Sequence, residues 1–269
     1  MSKIEVAKYI ISNEKIPKEF DNYTIVQISD LHNKSFGKNN IKLINEIDKI
    51  NPKAIFITGD IIDGENKNFQ VALDLLNNLT SKYKVYHITG NHEQKALIKK
   101  YKDLYKVYFE QLSNINAIYL DNEKIQIKKG DSQINLYGLT IPFKCYKYLF
   151  DKDKNTNLDE NFLEENLPTI NKDEYNILLA HTPFYFDEYE RWGADLILAG
   201  HVHGGIIRLP FVGGLLSPNR HFFPKYDLGK YDKNNSTMIV TKGLGGSKVL
   251  VRINCKPEIV KITLKSKHQ

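Results

Sequence analysis

The chain has 269 residues, 41% of them hydrophobic and 26% charged, proportions that supply a sizeable core and exclude a disordered or fibrous protein. Its formal charge is +6, but only four of 38 basic residues are arginine and the lysines are scattered, which argues against a nucleic-acid groove. No apolar run reaches the roughly 18 residues of a membrane span, and Cys145 and Cys255 sit in no metal or disulfide pattern.

In chain order, KIEVAKYII alternates like a strand, and its charges argue against a signal peptide. TIVQISD (24–30) is a continuous β-rich apolar run that ends in a carboxylate. NNIKLINEIDKI (39–50) spaces Ile41, Ile44, Ile47 and Ile50 as a helix does. AIFITGD (54–60) repeats the strand pattern, FQVALDLLNNL (69–79) is helical, and KVYHITGNHE (84–93) is a third buried strand. One amphipathic helix is expected from about Gln94 to Leu112. The pattern is β-α-β-α-β, with strands of the kind buried on both faces of a parallel sheet. Asp30, Asp60 and Asn91 end these strands at intervals of 30 and 31 residues, about one βαβ step each. That places all three at one carboxyl edge, where open α/β sheets bind ligands.

Beyond residue 117 come NAIYLDN, KIQIKK and INLYGLT, shorter strands with Gly130 and Asp131 at a hairpin turn. The stretch 142–168, aromatic then charged, reads as an insertion with a short helix, a candidate lid that sets specificity. YNILLAH (175–181) and ADLILAGH (194–201) are buried strands that each end in histidine, and TMIVTKG and EIVKITL are strands in the tail. With no linker or low-complexity tract, residues 1–269 are expected to form one α/β domain, two sheets with helices outside them.

The polar residues at the strand ends form a set: Asp30, His32, Asp60, Asn91, His92, His181, His201 and His203, with five of the chain's eight histidines. In extended backbone, positions i and i+2 share a face, which would put His201 beside His203 and Asp30 beside His32. A buried strand end has no structural need of a carboxylate or an imidazole, and burying one unpaired is costly. Metal ligation answers that cost. Leaving His92 aside, three oxygen and four imidazole donors exceed one ion and suit two that share a bridging carboxylate. Mixed nitrogen and oxygen ligation favours Mn, Fe, Zn or Co over Mg or Ca.

D-x-H, G-D, G-N-H-E, H and G-H-x-H, in this order between residues 30 and 203, resemble the motif set of the calcineurin-like metallophosphoesterase superfamily. The G-H-x-H-G-G form and a downstream Pro-Asn-Arg stretch are most similar to its bacterial phosphodiesterase-like branch. The resemblance implies a four-layer α/β/β/α sandwich with two mixed sheets and a metal site at the carboxyl edge of the strands. It implies two divalent transition-metal ions, one held by Asp30, His32, Asp60 and His203, the other by Asp60, Asn91, His181 and His201. Asp60 would be the bridge. It further implies a metal-bound hydroxide as the in-line nucleophile, with His92, a non-ligand, on a phosphate oxygen and assisting the leaving group.

The reaction so implied is phosphodiester hydrolysis of a small lipid- or nucleotide-derived substrate. Nuclease or phosphomonoesterase activity at the same site, and a non-catalytic scaffold, are the competing readings. GDIIDGE lacks the arginine that follows this stretch in the superfamily's protein Ser/Thr phosphatases, which disfavours a phosphoprotein substrate. Members of the branch often carry an N-terminal anchor or export signal, and the expected location here is cytoplasmic or membrane-peripheral.

Around the set, Glu93 is expected either to orient His92 or to serve the helix start, and Asp63 either to support the site or to cap a helix. Asn33, Arg208 and Arg220 are weaker candidates for contact with phosphate. Gly200, Gly204 and Gly205 are expected to leave room for phosphate, and GLGGSK (243–248), which fails the P-loop spacing, to be a turn. His87, His221 and the Tyr101, Tyr105, Tyr108 stripe read as structural.

Overall fold

The computed structural model describes residues 3–146, 157–204, 208–209, 213–214, 225–246 and 256–268. The first half of the chain forms β1 (Glu5–Asn13), β2 (Thr24–Ile28), α1 (Ile41–Ile50), β3 (Ala54–Ile57), α2 (Gln70–Thr80), β4 (Lys84–His87), α3 (Asn91–Ile98) and α4 (Lys102–Ser113). It continues through β5 (Ile118–Tyr119), β6 (Glu123–Lys129), β7 (Ser132–Leu139), α5 (Phe162–Asn166), β8 (Asn176–Ala180), α6 (Phe186–Trp192) and β9 (Leu196–Ala199). A short pair, β10 (Arg208–Leu209) and β11 (Gly213–Gly214), precedes β12 (Gly229–Lys233), β13 (Ser236–Val240) and β14 (Glu258–Ser266).

Two six-stranded sheets result, in the orders β1-β14-β2-β3-β4-β5 and β12-β13-β9-β8-β7-β6. Each is mixed: β2, β3, β4 and β5 run parallel while β14 opposes β2, and β7, β8, β9 and β13 run parallel while β6 and β12 oppose their neighbours. Successive side chains of a strand leave opposite faces, so the parallel strands feed two cores at once. In β9, Leu196 and Leu198 join the core between the sheets, while Ile197 and Ala199 join Phe186, Tyr189 and Trp192 of α6. In β3, Ala54 and Phe56 face the second sheet, and Ile55 and Ile57 face α1 and α2. Three buried clusters therefore separate four layers, the α/β/β/α arrangement that the motifs implied. Among the described residues no helix is long and apolar enough to cross a membrane.

The expected helix over 94–112 is two helices. Glu93 at the third position of α3 closes its start, and Lys99 is extended (φ −103°, ψ −172°), which ends it. α4 then takes its own course, burying Tyr105 and Tyr108 under the sheet. Lys99 and Lys102 would be like charges three apart in one continuous helix, a further reason to break there. In α1 the apolar stripe is rotated from the expected one, with Leu43, Ile44 and Ile47 buried and Ile41 exposed.

Pairing sets the site's position. Ile28, Ile57 and His87 are in register across β2, β3 and β4, so the loops that carry Asp30, Asp60 and Asn91 leave one edge together. Two buried tethers bring the second sheet's edge alongside. Gln27 Nε2 donates to Ala199 O (3.0 Å) and Thr58 Oγ1 (3.2 Å), and His181 Nδ1 donates to Thr58 O at 2.6 Å.

His87 ends β4, is 3% exposed and stacks on Tyr119 with ring centroids 5.1 Å apart. Burial pulls its pKa from 6.5 to about 4. The unfolded chain therefore takes up this proton first, and stability complete above pH 6.5 is lost as pH falls towards 4, by roughly 3 kcal/mol. His87→Phe should flatten this part of the acid limb in a denaturant titration run against pH. An unchanged acid limb would mean that His87 is not held neutral.

Candidate metal centre

The strand-end loops do not continue as extended chain. Asp30, His32, Asp60, His201 and His203 all have left-handed backbones, with φ of 53°, 49°, 53°, 69° and 56°. The two histidines of H-x-H and the pair Asp30 and His32 thus converge through tight left-handed turns, not through the i, i+2 alternation of a strand. Non-glycine residues seldom adopt this region, and it concentrates at functional sites because the surrounding structure must hold it.

The turns aim their donors at two places. Asp30, His32 and His203 form one group whose donor atoms lie within 4.8 Å of one another, and Asp60, His181 and His201 form another. In the first, His32 Nε2 is 3.3 Å from His203 Nε2, and these stand 3.8 and 3.6 Å from Asp30 Oδ1. In the second, His181 Nε2 is 3.2 Å from Asp60 Oδ2, 3.2 Å from Asn91 Oδ1 and 3.3 Å from His201 Nδ1. Asp60 joins the groups through one oxygen, since Oδ2 is also 3.8 Å from His32 Nε2. Its Oδ1 is occupied, accepting the His92 backbone N–H at 2.8 Å. His32, Asp60 and His92 form a third triplet, so His92 adjoins the same space. All eight residues expected at the site are thus brought together.

The donor set fits divalent transition metals. His181 spends its Nδ1 hydrogen on Thr58 O, so in neutral form its Nε2 is a bare lone pair facing the acceptors Asp60 Oδ2 and Asn91 Oδ1. Such a nitrogen needs a cation in front of it, a metal ion or a proton. Electrostatics without a metal shows the same demand. Burial opposes a charge on His181, yet Asp60 and Asp30 hold its pKa up at about 10. Burial instead drives His32 and His201 down to about 3, leaving them neutral donors. Asp30, fully buried, is raised by that burial to about 6. His201 turns Nδ1 towards the donor group, 3.3 Å from His181 Nε2, and among the described residues its buried Nε2 has no hydrogen-bond partner.

For two supports the structure selects one of the two expected roles, the helix start for Glu93 and support of the site for Asp63. Glu93 does not reach the His92 ring. Its carboxylate accepts four backbone N–H groups, from Gly90 (2.8 Å) and Asp60 (2.9 Å) on Oε2, and from Ile61 (2.8 Å) and Ile62 (3.2 Å) on Oε1. One buried side chain thereby closes the start of α3 and clamps the turn that presents Asp60. Burial, with Asp60 nearby, raises Glu93 to about 7 against these four donors. The residue on His92 is Asp63, whose Oδ1 accepts from His92 Nδ1 at 3.2 Å and from the Glu65 N–H. Asp63 caps no helix, since α2 starts only at Gln70. Against its partial burial, the His92 hydrogen bond pulls Asp63 down to about 2.

Of the glycines expected to leave room for phosphate, Gly200 does a different job. A Cβ on Gly200 would run into Ser29 Oγ and Asp30 Oδ2, so Gly200 makes room for a donor, not for a substrate. The 243–246 part of GLGGSK is a turn after β13, as expected, but one that braces the site. Leu244 N donates to Ser29 O (3.1 Å), Gly245 N to Asp30 O (2.5 Å), and a Cβ on Gly243 would stand 2.6 Å from Asp30 Cβ. No signal in the sequence ties that loop to Asp30 across more than two hundred positions. An aromatic wall closes the second donor group, with Tyr146 edge-on to His201 at 5.2 Å and Phe184 at 6.0 Å. Asn33 follows His32 in a left-handed turn of its own and its N–H bonds to Ile61 O. Tyr105 and Tyr108 are core residues, as read. Arg220, His221, Gly205 and residues 147–156 of the expected insertion lie outside the described residues.

The chain is similar to known metallophosphoesterases. The chain is 29% identical over 273 residues to the uncharacterized metallophosphoesterase YkuE of Bacillus subtilis, spanning 98% of this chain and 86% of that one. It is 27% identical to an uncharacterized metallophosphoesterase of Aquifex aeolicus, spanning 98% and 93% of the two. A bovine transmembrane protein with a metallophosphoesterase domain is 27% identical across 94% of this chain and 55% of its own length. Among solved structures, a putative 5′-nucleotidase from Staphylococcus aureus shares the fold with a TM-score of 0.50 at 13% identity, covering 82% of this chain and 49% of that one. The calcineurin-like phosphoesterase family matches residues 23–205, from the residue before β2 to just past His203. That span takes in every loop that brings a donor to the site, and the chain belongs to the calcineurin-like phosphoesterase family.

Proposed function

We propose that the protein is a dinuclear metal-dependent phosphohydrolase acting on phosphodiesters of small lipid- or nucleotide-derived substrates. The observation that carries this reading is the pair of donor groups sharing Asp60 Oδ2. Asp30, His32, Asp60 and His203 would hold one ion and Asp60, Asn91, His181 and His201 the other, drawn from Mn, Fe, Zn or Co. Bound there, such a pair supplies charge neutralisation for phosphoryl oxygens and a water of lowered pKa.

The protein's own part is position and proton transfer. Asp60, fixed at Oδ1 by the His92 amide, keeps Oδ2 turned to both groups. His181 is oriented by Thr58, and Asn91 is carried on the first turn of α3. His92 adjoins the shared space without a place in either donor group described above. Burial disfavours its charge, but Asp60 and Asp63 outweigh burial and raise its pKa above 6.5. With Asp63 fixing Nδ1, the ring's Nε2 is left to give a proton to a departing alkoxide.

The test is metal-stripped protein given Mn, Zn, Co, Fe(II) or Mg in turn, with bis-p-nitrophenyl phosphate beside p-nitrophenyl phosphate. Diester turnover restored by a transition metal is expected. Faster monoester than diester turnover with every metal would overturn the diester assignment. His92→Ala should keep both ions by elemental analysis and lose about 10²- to 10⁴-fold in kcat. Wild-type activity in that variant would remove His92 from the reaction.

The insertion at 142–168 is proposed to set specificity, since Tyr146 within it stands against His201. Scrambling residues 147–161 should change relative rates across a panel of diesters while metal content stays constant. Unchanged ratios would dismiss the segment.

A further inference from the structure

Four of the seven large apolar side chains exposed among the described residues fall within eleven positions. Leu97, Ile98, Leu104 and Val107 leave 46%, 61%, 36% and 43% of their surfaces in water. Leu97 and Ile98 end α3, and Leu104 and Val107 are neighbours three apart on α4. Single exposed apolar residues are ordinary, whereas a cluster marks a surface with a partner.

Residues 95–110 carry Lys95, Lys99, Lys100, Lys102 and Lys106 against Asp103 and Glu110, five positive charges to two negative. Lys99, Lys100 and Lys102 are exposed, and Lys67 Nζ and Lys100 Nζ each lie 5.5 Å from the centroid of the Tyr101 ring. Long lysines beside protruding aliphatic groups suit a boundary that is apolar below and anionic above. We propose that this α3–α4 corner docks on an anionic lipid bilayer, its apolar side chains at the acyl boundary and its lysines among the headgroup phosphates. A second copy of the chain is the poorer occupant, because two-fold pairing would bring two copies of the same lysine-rich patch together.

The corner also has a fixed relation to the candidate metal centre. α3 starts at Asn91 and His92 and ends at Ile98, so its far end lies roughly 10 Å along the axis from the donor groups. Docking there would hold the site close to lipid phosphoesters. The surface does not rest on the hydrolytic reading, because vesicle binding is measured without turnover.

The test is sedimentation of the full chain with vesicles of equal parts phosphatidylglycerol and phosphatidylcholine, beside vesicles of phosphatidylcholine alone. Binding to the anionic vesicles is expected, weakened about tenfold or more in Leu97→Asn/Ile98→Asn and in Lys99→Glu/Lys100→Glu. Both double variants should keep the wild-type melting temperature and its turnover of a soluble phosphoester. No binding to anionic vesicles, or equal binding by the variants, overturns the proposal. So does a fall in melting temperature of Leu97→Asn/Ile98→Asn, which would show that the chain itself covers the patch. A dimer in ultracentrifugation that this variant dissolves would assign the surface to a second copy, and retention on heparin without vesicle binding would assign it to a soluble polyanion.

Discussion

Asp60→Asn is expected to lose both metal ions, and turnover with them, by about 10³-fold or more. The size of the effect comes from one atom. Among the described residues, Oδ2 is the oxygen that faces both His32 in one donor group and His181 in the other. An amide at this position can still accept the His92 N–H, so the turn should survive, but it brings no charge to either ion. The measurement is metal per chain by elemental analysis, with circular dichroism to show that the fold is kept. Two ions retained with turnover within tenfold of wild type would show that the groups do not share this residue.

The second large effect is expected at Glu93, which on the proposed reading touches neither metal nor substrate. Glu93→Gln replaces one of two acceptor oxygens with an NH₂ group facing backbone N–H donors. Two of the four amides of Gly90, Asp60, Ile61 and Ile62 then lose their partner in a buried place. At 1–3 kcal/mol for each orphaned group, the loss of stability is about 2–6 kcal/mol. Because the clamp holds the Asp60 turn, metal affinity should also fall by about 10- to 100-fold. Denaturant midpoints and metal titration read the two separately. Full stability with weakened metal binding would limit Glu93 to positioning, and wild-type values for both would discard the clamp.

Much of this site was legible in the residues. Apolar strands of four or five residues, each followed by Asp, Asn or His, pointed to one sheet edge because burial on both faces leaves polar groups only at the ends. The equal spacing of Asp30, Asp60 and Asn91 carried over to the register of β2, β3 and β4. What could not be read was whatever depends on backbone conformation after a strand stops. His201 and His203 were placed in different donor groups by the motif resemblance, but the strand alternation read for them is replaced by two left-handed residues. Glu93 was ambiguous for a related reason: a carboxylate at a helix start has local work to do, and its hold on Ile61 and Ile62 spans about thirty positions. α6 escaped notice because Asp187, Glu188, Glu190 and Arg191 interrupt a stripe of Phe186, Tyr189 and Trp192 only seven residues long.

The left-handed residues of the site set folding and chemistry at odds. Each of the five turns places a branched or ring-bearing side chain in a backbone region that glycine would occupy freely, at about 1–3 kcal/mol apiece. Selected for folding alone, the chain would drift towards glycine at Asp30, His32, Asp60, His201 and His203 and grow more robust as its donors disappeared. On the proposed reading, the five left-handed donors are stability given up by the fold for the sake of the site.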